Sequence, residues 1–217
     1  MNKRHSRRAF LKTMAATGVG TVLSGSNLAL SNTADDQKNQ VVPQRQFGQT
    51  GIQVSSLALG GILDFNTNQL LLNQALKLGI NYWNTADSYR GGKSEEGIGR
   101  FIARSPEIRS QLFLATKTEA RSTMMMDIAL NASLKNLKTN YIDLYLMHMV
   151  RYPKEWQRDE VTQWAQKAKS EGKIRHFGFS VHTNMVDNLN QAATLDWIDG
   201  IMFTYNYANQ LSKKMSR

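Results

Sequence analysis

The 217-residue chain contains no cysteine, which removes disulfides, thiolate metal sites and cysteine-ligated iron–sulfur clusters. It also lacks a stretch of about 20 mostly apolar residues, the length that a stable membrane span requires. The formal charge of +10 is not gathered into a basic stripe with interleaved aromatics, and no nucleic-acid module is present, so no nucleic-acid partner is expected. Acids are missing altogether from the first 31 residues. Their five cations, Lys3, Arg4, Arg7, Arg8 and Lys12, carry half the formal charge and leave +5 on the remainder.

What is present begins with an address. Ser6-Arg7-Arg8-Ala9-Phe10-Leu11-Lys12 matches the pattern read by the twin-arginine export machinery, the expected partner of this segment. Residues 13–31 are uncharged, and Gly18, Gly20 and Gly25 dilute their apolar content. Cleavage at the small-residue site Ala29-Leu30-Ser31 would remove residues 1–31 as a signal peptide. Residues 32–43 read as a polar linker, and the mature protein is expected in the periplasm or otherwise exported. Roughly 185 residues remain, enough for one domain with its own core.

Residues 44–217 alternate between short apolar strands and helical stretches. Phe47, the turn Gly48-Gln49-Thr50-Gly51, and Ile52 with Val54 predict a small leading hairpin. Residues 57–61 predict a buried strand, 68–78 a helix, 82–83 a strand core, 94–102 a helix and 112–116 a strand. Met124, Ile128, Leu134 and Leu137 fall near helical spacing. Strands follow over 142–147, 174–179 and 201–205, with helices over 161–169 and 185–193. Such alternation means parallel strands with right-handed crossovers, in either a doubly wound sheet or a (β/α) barrel.

The strand ends separate the two. No Gly-x-Gly-x-x-Gly follows the first strand, as a dinucleotide-binding doubly wound domain requires. Instead, Asn84 and Tyr89 follow the second barrel strand, Lys117 ends the third and His148 the fourth. In a (β/α) barrel, functional side chains gather where strands run into the following loops. The expected fold is an incomplete (β/α)8 TIM-type barrel of about six β/α units, with the N-terminal hairpin in front. His176 and His182 read as structural, and the four Trp and ten Met as core and pocket filler.

These segments resemble the aldo-keto reductase family. Asn84-Thr85-Ala86-Asp87-Ser88-Tyr89 is similar to its Asp-Thr-Ala-x-x-Tyr segment, and Ser94-Glu95 through Ile98-Gly99 to the helix that follows it. Phe113 to Lys117 resembles the lysine strand, Tyr141 to His148 the histidine strand, and Gly172 to Ser180 the fifth-strand segment. The likeness covers about 44–206, with the motifs in family order.

The resemblance implies reduction of aldehydes or ketones with NADPH, without metal. Tyr89 would donate the proton and Lys117 would lower the phenol's pKa from its usual value near 10. His148 would donate a hydrogen bond to the carbonyl. Asn84 stands where the family has an aspartate; its amide can accept a bond from Lys117 but offers no charge, and Asp87 is the nearest substitute. Ser180 would begin the nicotinamide-holding pair, with Val181 where Asn is usual. On the sixth strand, Met202 stands in place of Gln, followed by Tyr205 and Asn206. The chain ends roughly ten residues past that strand, before the phosphate-binding loops after strands seven and eight. Weak NADP binding is therefore expected, and a catalytically inactive truncated remnant is the alternative to an active carbonyl reductase.

Overall fold

A computed structural model describes residues 41–206, all within one compact unit, Asn39–Arg217. The export address, its cleavage site and the first nine residues of the linker lie outside the described residues.

The hairpin pairs β1 (Gln44–Gln46) antiparallel with β2 (Gln53–Ser55). Gly48 and Gly51, at φ +53° and +78°, take the left-handed backbone that the four-residue turn requires. A six-stranded parallel sheet follows, ordered β3 (Leu59–Gly60), β4 (Tyr82–Asn84), β5 (Phe113–Thr118), β6 (Ile142–Val150), β7 (Ile174–Val181) and β8 (Gly200–Phe203). The intervening helices are α1 (Gln69–Lys77), α2 (Lys93–Arg104), α3 (Thr123–Leu137), α4 (Asp159–Ser170) and α5 (Met185–Ala192). This is the sheet order of an incomplete TIM-type barrel, each strand pairing with the next in sequence.

Strand alternation sorts side chains onto two faces. Leu114, Tyr145, Met147, Phe177 and Phe179 join the helices in the main core. Phe113, Ala115, Leu144 and Leu146 face inward and pack with Val54, Phe47 and Ile52 of the hairpin. Phe47 lies 4.8 Å from the Phe113 ring, so the hairpin covers the interior at the strands' N-terminal end. His176 joins it, 5.8 Å from Phe47.

Three expectations need correction. Residues 57–61 do not form a buried strand. Only Leu59–Gly60 is extended and Leu57 is 56 % exposed, because this strand pairs on one side only, with β4. In α3 the core face is Met126, Leu130, Ser133 and Leu137, while Met124 and Ile128 are exposed. The spacing of 4, 3 and 4 is the tighter helical stripe, and it places the polar Ser133 inside. The methionines are not uniformly filler either, since Met124, Met125 and Met149 are exposed.

Candidate active site

The helix after β4 is tied to the neighbouring loops by hydroxyl groups. Ser94 Oγ donates to the Gly61 carbonyl at 2.6 Å and stands 2.7 Å from Thr85 Oγ1. With its one proton spent on Gly61, Ser94 accepts from Thr85. The end of β4, the loop after β3 and the start of α2 are thereby tied together, which orients the turn bearing Tyr89. Beneath it, buried Glu95 accepts from Thr116 Oγ1 at 2.6 Å and from Asn136. Burial pushes its carboxyl pKa up.

Lys117 is the last inward-facing residue of β5 and is 1 % exposed. Its Nζ donates to the Thr85 carbonyl at 2.6 Å and to Tyr89 Oη at 3.4 Å. Burial lowers its pKa to about 8, while Asp87 and then Glu95 act through space in the opposite direction. Asp87 is thus the larger of the two carboxylate influences, though its own pKa is raised, chiefly by burial. His148 ends the inward row of β6, its ring edge-on to Tyr89 at 5.7 Å. Burial, then the charges of Lys117, His182 and Arg121, lowers its pKa to about 4, so the imidazole is neutral at pH 7.

The structure therefore brings Tyr89, Lys117 and His148 together, as their strand-end positions required. Asn84 is on the same inward row, but Lys117 does not use it: the lysine takes the Thr85 carbonyl instead. Asn84 Oδ1 is buried without a hydrogen-bond partner. The expected lowering of the Tyr89 pKa also fails in the free protein, because desolvation of the half-buried phenol raises it. Ser180 faces inward and is buried, with Oγ accepting the Met149 N–H at 2.9 Å. Val181 points outward into the main core. Tyr205 is 60 % exposed after β8.

Two supports were not legible in the sequence. The β6–β7 register shifts between Met147 and Val150, with Met149 at φ +56°. Such a bulge re-aims neighbouring side chains, and Ser180 holds this one. The second is Arg121, which donates to the His148 carbonyl at 2.7 Å and pairs with Glu155 at 2.7 Å. Beside it, a cavity of about 480 Å³ is lined by Glu119, Arg121, Met149, Arg151 and Tyr152. A larger cavity of about 640 Å³, lined by Ile102, Arg109, Leu134 and Lys138, lies at the opposite end of the strands. Among the described residues no cluster of His, Asp or Glu is arranged to hold a metal, and no helix is long and apolar enough to cross a membrane.

Residues 52–215 match the model of the Aldo/keto reductase family. An aldo-keto reductase of Schizosaccharomyces pombe, yakc [NADP(+)], is 29 % identical over 180 residues, which are 77 % of this chain and 50 % of that protein. Methylglyoxal reductase DkgA of Yersinia pestis is 33 % identical over 112 residues, 51 % of this chain and 38 % of that one. The holo form of aldo-keto reductase AKR11C1 from Bacillus halodurans superposes with a TM-score of 0.66 at 29 % identity, covering 76 % of this chain and 58 % of its own. The chain spans about half the length of the curated relatives it matches. With the family model covering most of the chain, and with the sheet order in agreement, this protein belongs to the aldo/keto reductase family.

Proposed function

We propose that this chain is an oxidoreductase that reduces an aldehyde or ketone carbonyl to the alcohol with a nicotinamide cofactor, NADPH or NADH. The observation carrying the reading is the Tyr89–Lys117 contact of 3.4 Å beside His148. The names of two relatives, one marked NADP(+) and one a methylglyoxal reductase, support the cofactor and the carbonyl substrate.

The residues present fit a nicotinamide carboxamide. Asn84 Oδ1 is a buried acceptor without a partner, suited to an amide N–H. Ser180 has spent a lone pair on Met149, and its O–H is available to an amide oxygen. Tyr205 would be a further contact from β8's end. A nicotinamide cofactor held there would supply hydride; the chain would supply the proton and the orientation. As hydride reaches the carbonyl carbon, charge grows on oxygen and Tyr89 O–H donates its proton there. A partly desolvated phenol resists this loss, so charged Lys117, donating to Oη, is what makes phenolate tolerable. At pH 7, below its pKa of about 8, Lys117 is mostly charged and in the right state.

The test is NADPH consumption with methylglyoxal and a panel of aldehydes by the purified chain. Tyr89→Phe should lower turnover about 10²-fold or more; a Tyr89→Phe protein as active as its parent removes the proposed acid. A second reading, binding without turnover, is favoured by the absence of an Asn84–Lys117 bond, which leaves the lysine held by neutral oxygens. It predicts NADPH quenching of tryptophan fluorescence with no NADPH consumption. For location, we propose export by the twin-arginine machinery, on the strength of Arg7-Arg8 and the uncharged stretch that follows.

A further inference from the structure

The cavity of about 480 Å³ beside His148 has the size of a small-molecule pocket. Its walls are the loops after β5 and β6, and hydrogen bonds tie the two together. Arg121 donates to the Glu119 carbonyl at 2.9 Å and to the His148 carbonyl at 2.7 Å. Its Nε pairs with one oxygen of Glu155, whose other oxygen accepts the N–H groups of Arg151 and Tyr152 at 2.7 and 2.9 Å. Arg121 and Glu155 thus neutralise each other and serve as the frame.

The remaining lining is free to meet a small molecule. Arg151 and Lys154 are exposed cations, and neither is ion-paired among the described residues. Lys154 Nζ lies 5.6 Å from the Tyr152 ring centroid, so a cation and an aromatic face stand together. Tyr152 and Met149, both part-exposed, add apolar surface. The one acid outside the frame, Glu119, stands against the histidine, with Oε1 3.8 Å from His148 Nδ1. Charge is therefore graded along the cavity: an acid at His148, and two cations on the loop that leads away from it.

We propose that this cavity is a carboxylate subsite, and that the carbonyl compound reduced carries its carboxylate several atoms from the carbonyl, across a flat apolar body. The carbonyl sits at Tyr89 and His148, the body on Met149 and Tyr152, and the carboxylate on the Arg151 fork with Lys154 beside it. A carboxylate directly on the carbonyl carbon, as in a 2-oxo acid, meets Glu119 instead and is repelled. This names the substrate class of the site proposed above and rests on that reading, but occupancy of the cavity is measured without turnover.

The probes are alcohols, which do not condense with lysines as aldehydes do. 4-(Hydroxymethyl)benzoate, its methyl ester, and mandelate, an isomer with the carboxylate beside the hydroxyl carbon, are each titrated into the full chain. The readout is the ¹³C-methyl signal of Met149, assigned by its loss in Met149→Leu. 4-(Hydroxymethyl)benzoate should shift that signal and bind about fivefold more tightly than the ester or mandelate. Added salt should shrink the advantage. In Arg151→Ala/Lys154→Ala the affinities for acid and ester should converge, with the other methionine signals reporting the fold. Equal affinity for the acid and either comparator in the parent, or no Met149 shift, overturns the proposal even if the variant does not fold. So does an advantage that survives in the folded double variant. If the acid binds as expected while 4-carboxybenzaldehyde consumes no NADPH, the subsite stands and the reductase reading fails. If neutral aldehydes are reduced and the acid has no advantage, the reductase reading stands and the subsite fails.

Discussion

Ser180 Oγ accepts the backbone N–H of Met149 at 2.9 Å, and through that bond β7 supports the bulge that ends β6. Met149 sits in left-handed backbone, a conformation that a side chain adopts only when its surroundings over-determine it. The hydroxyl is one such determinant, and the residue so supported follows His148 directly.

Ser180→Ala should therefore do more than remove a cofactor contact. It leaves a part-buried N–H unpaired, at a cost of about 1–3 kcal/mol. The urea midpoint should fall accordingly. Unchanged stability would show that the bulge needs no hydroxyl.

Lys117 predicts a pH limb. Its pKa is lowered to about 8, so the charged form that supports Tyr89 phenolate is lost as pH rises through 8. Reductase activity should fall above that pH. Asn84→Asp places a carboxylate on the same inward row, raises the lysine's pKa and should move the limb to higher pH. A pH–rate profile identical in both proteins would separate Asn84 from the lysine.

Stability should respond to the same group with a defined sign. A lysine whose folded pKa lies below its unfolded value binds fewer protons when folded between about 8 and 10.5. Unfolding free energy then rises with pH in that window and is penalised below it. His148, lowered from 6.5 to about 4, acts likewise between those values. His148→Gln should flatten the rise in urea stability between pH 4 and 6.5, and Lys117→Met the rise above pH 8. Parallel curves for variant and parent would refute the corresponding assignment.

At the other end of the sheet, Asp143 accepts from Arg109 at 2.8 Å, from Arg175 at 2.9 Å and from the Leu114 N–H. Both guanidinium groups stack on the Tyr141 ring, at 3.8 and 4.1 Å. Asp143→Ala would strand the buried Arg109 charge and should cost about 3–5 kcal/mol, read from denaturant unfolding. A loss below about 1 kcal/mol would mean that water reaches the arginine.

For export, replacing Arg7-Arg8 with Lys-Lys should leave the precursor inside the cell. Cell fractionation decides it, and equal periplasmic yield from both versions would end the twin-arginine assignment.

Period and order along the chain determined the parallel α/β architecture, the leading hairpin and the meeting of Tyr89, Lys117 and His148. Alternation of strand and helix dictates parallel pairing, and residues ending successive parallel strands on one face must converge. The buried face of α3 was harder, because Met124, Met126, Ile128 and Leu130 are all apolar, and only packing against the sheet selects Met126 and Leu130. Hydrogen-bond partners and ionisation belonged to the tertiary structure alone. Lys117 bonds the Thr85 carbonyl rather than Asn84, and burial raises the Tyr89 pKa, because desolvation depends on neighbours from every strand. The β6 bulge's Ser180 support and the bond from Arg121 to the His148 carbonyl join residues about 30 apart in sequence. No local pattern encodes such bonds, since each exists only where separate strands place its two ends within reach.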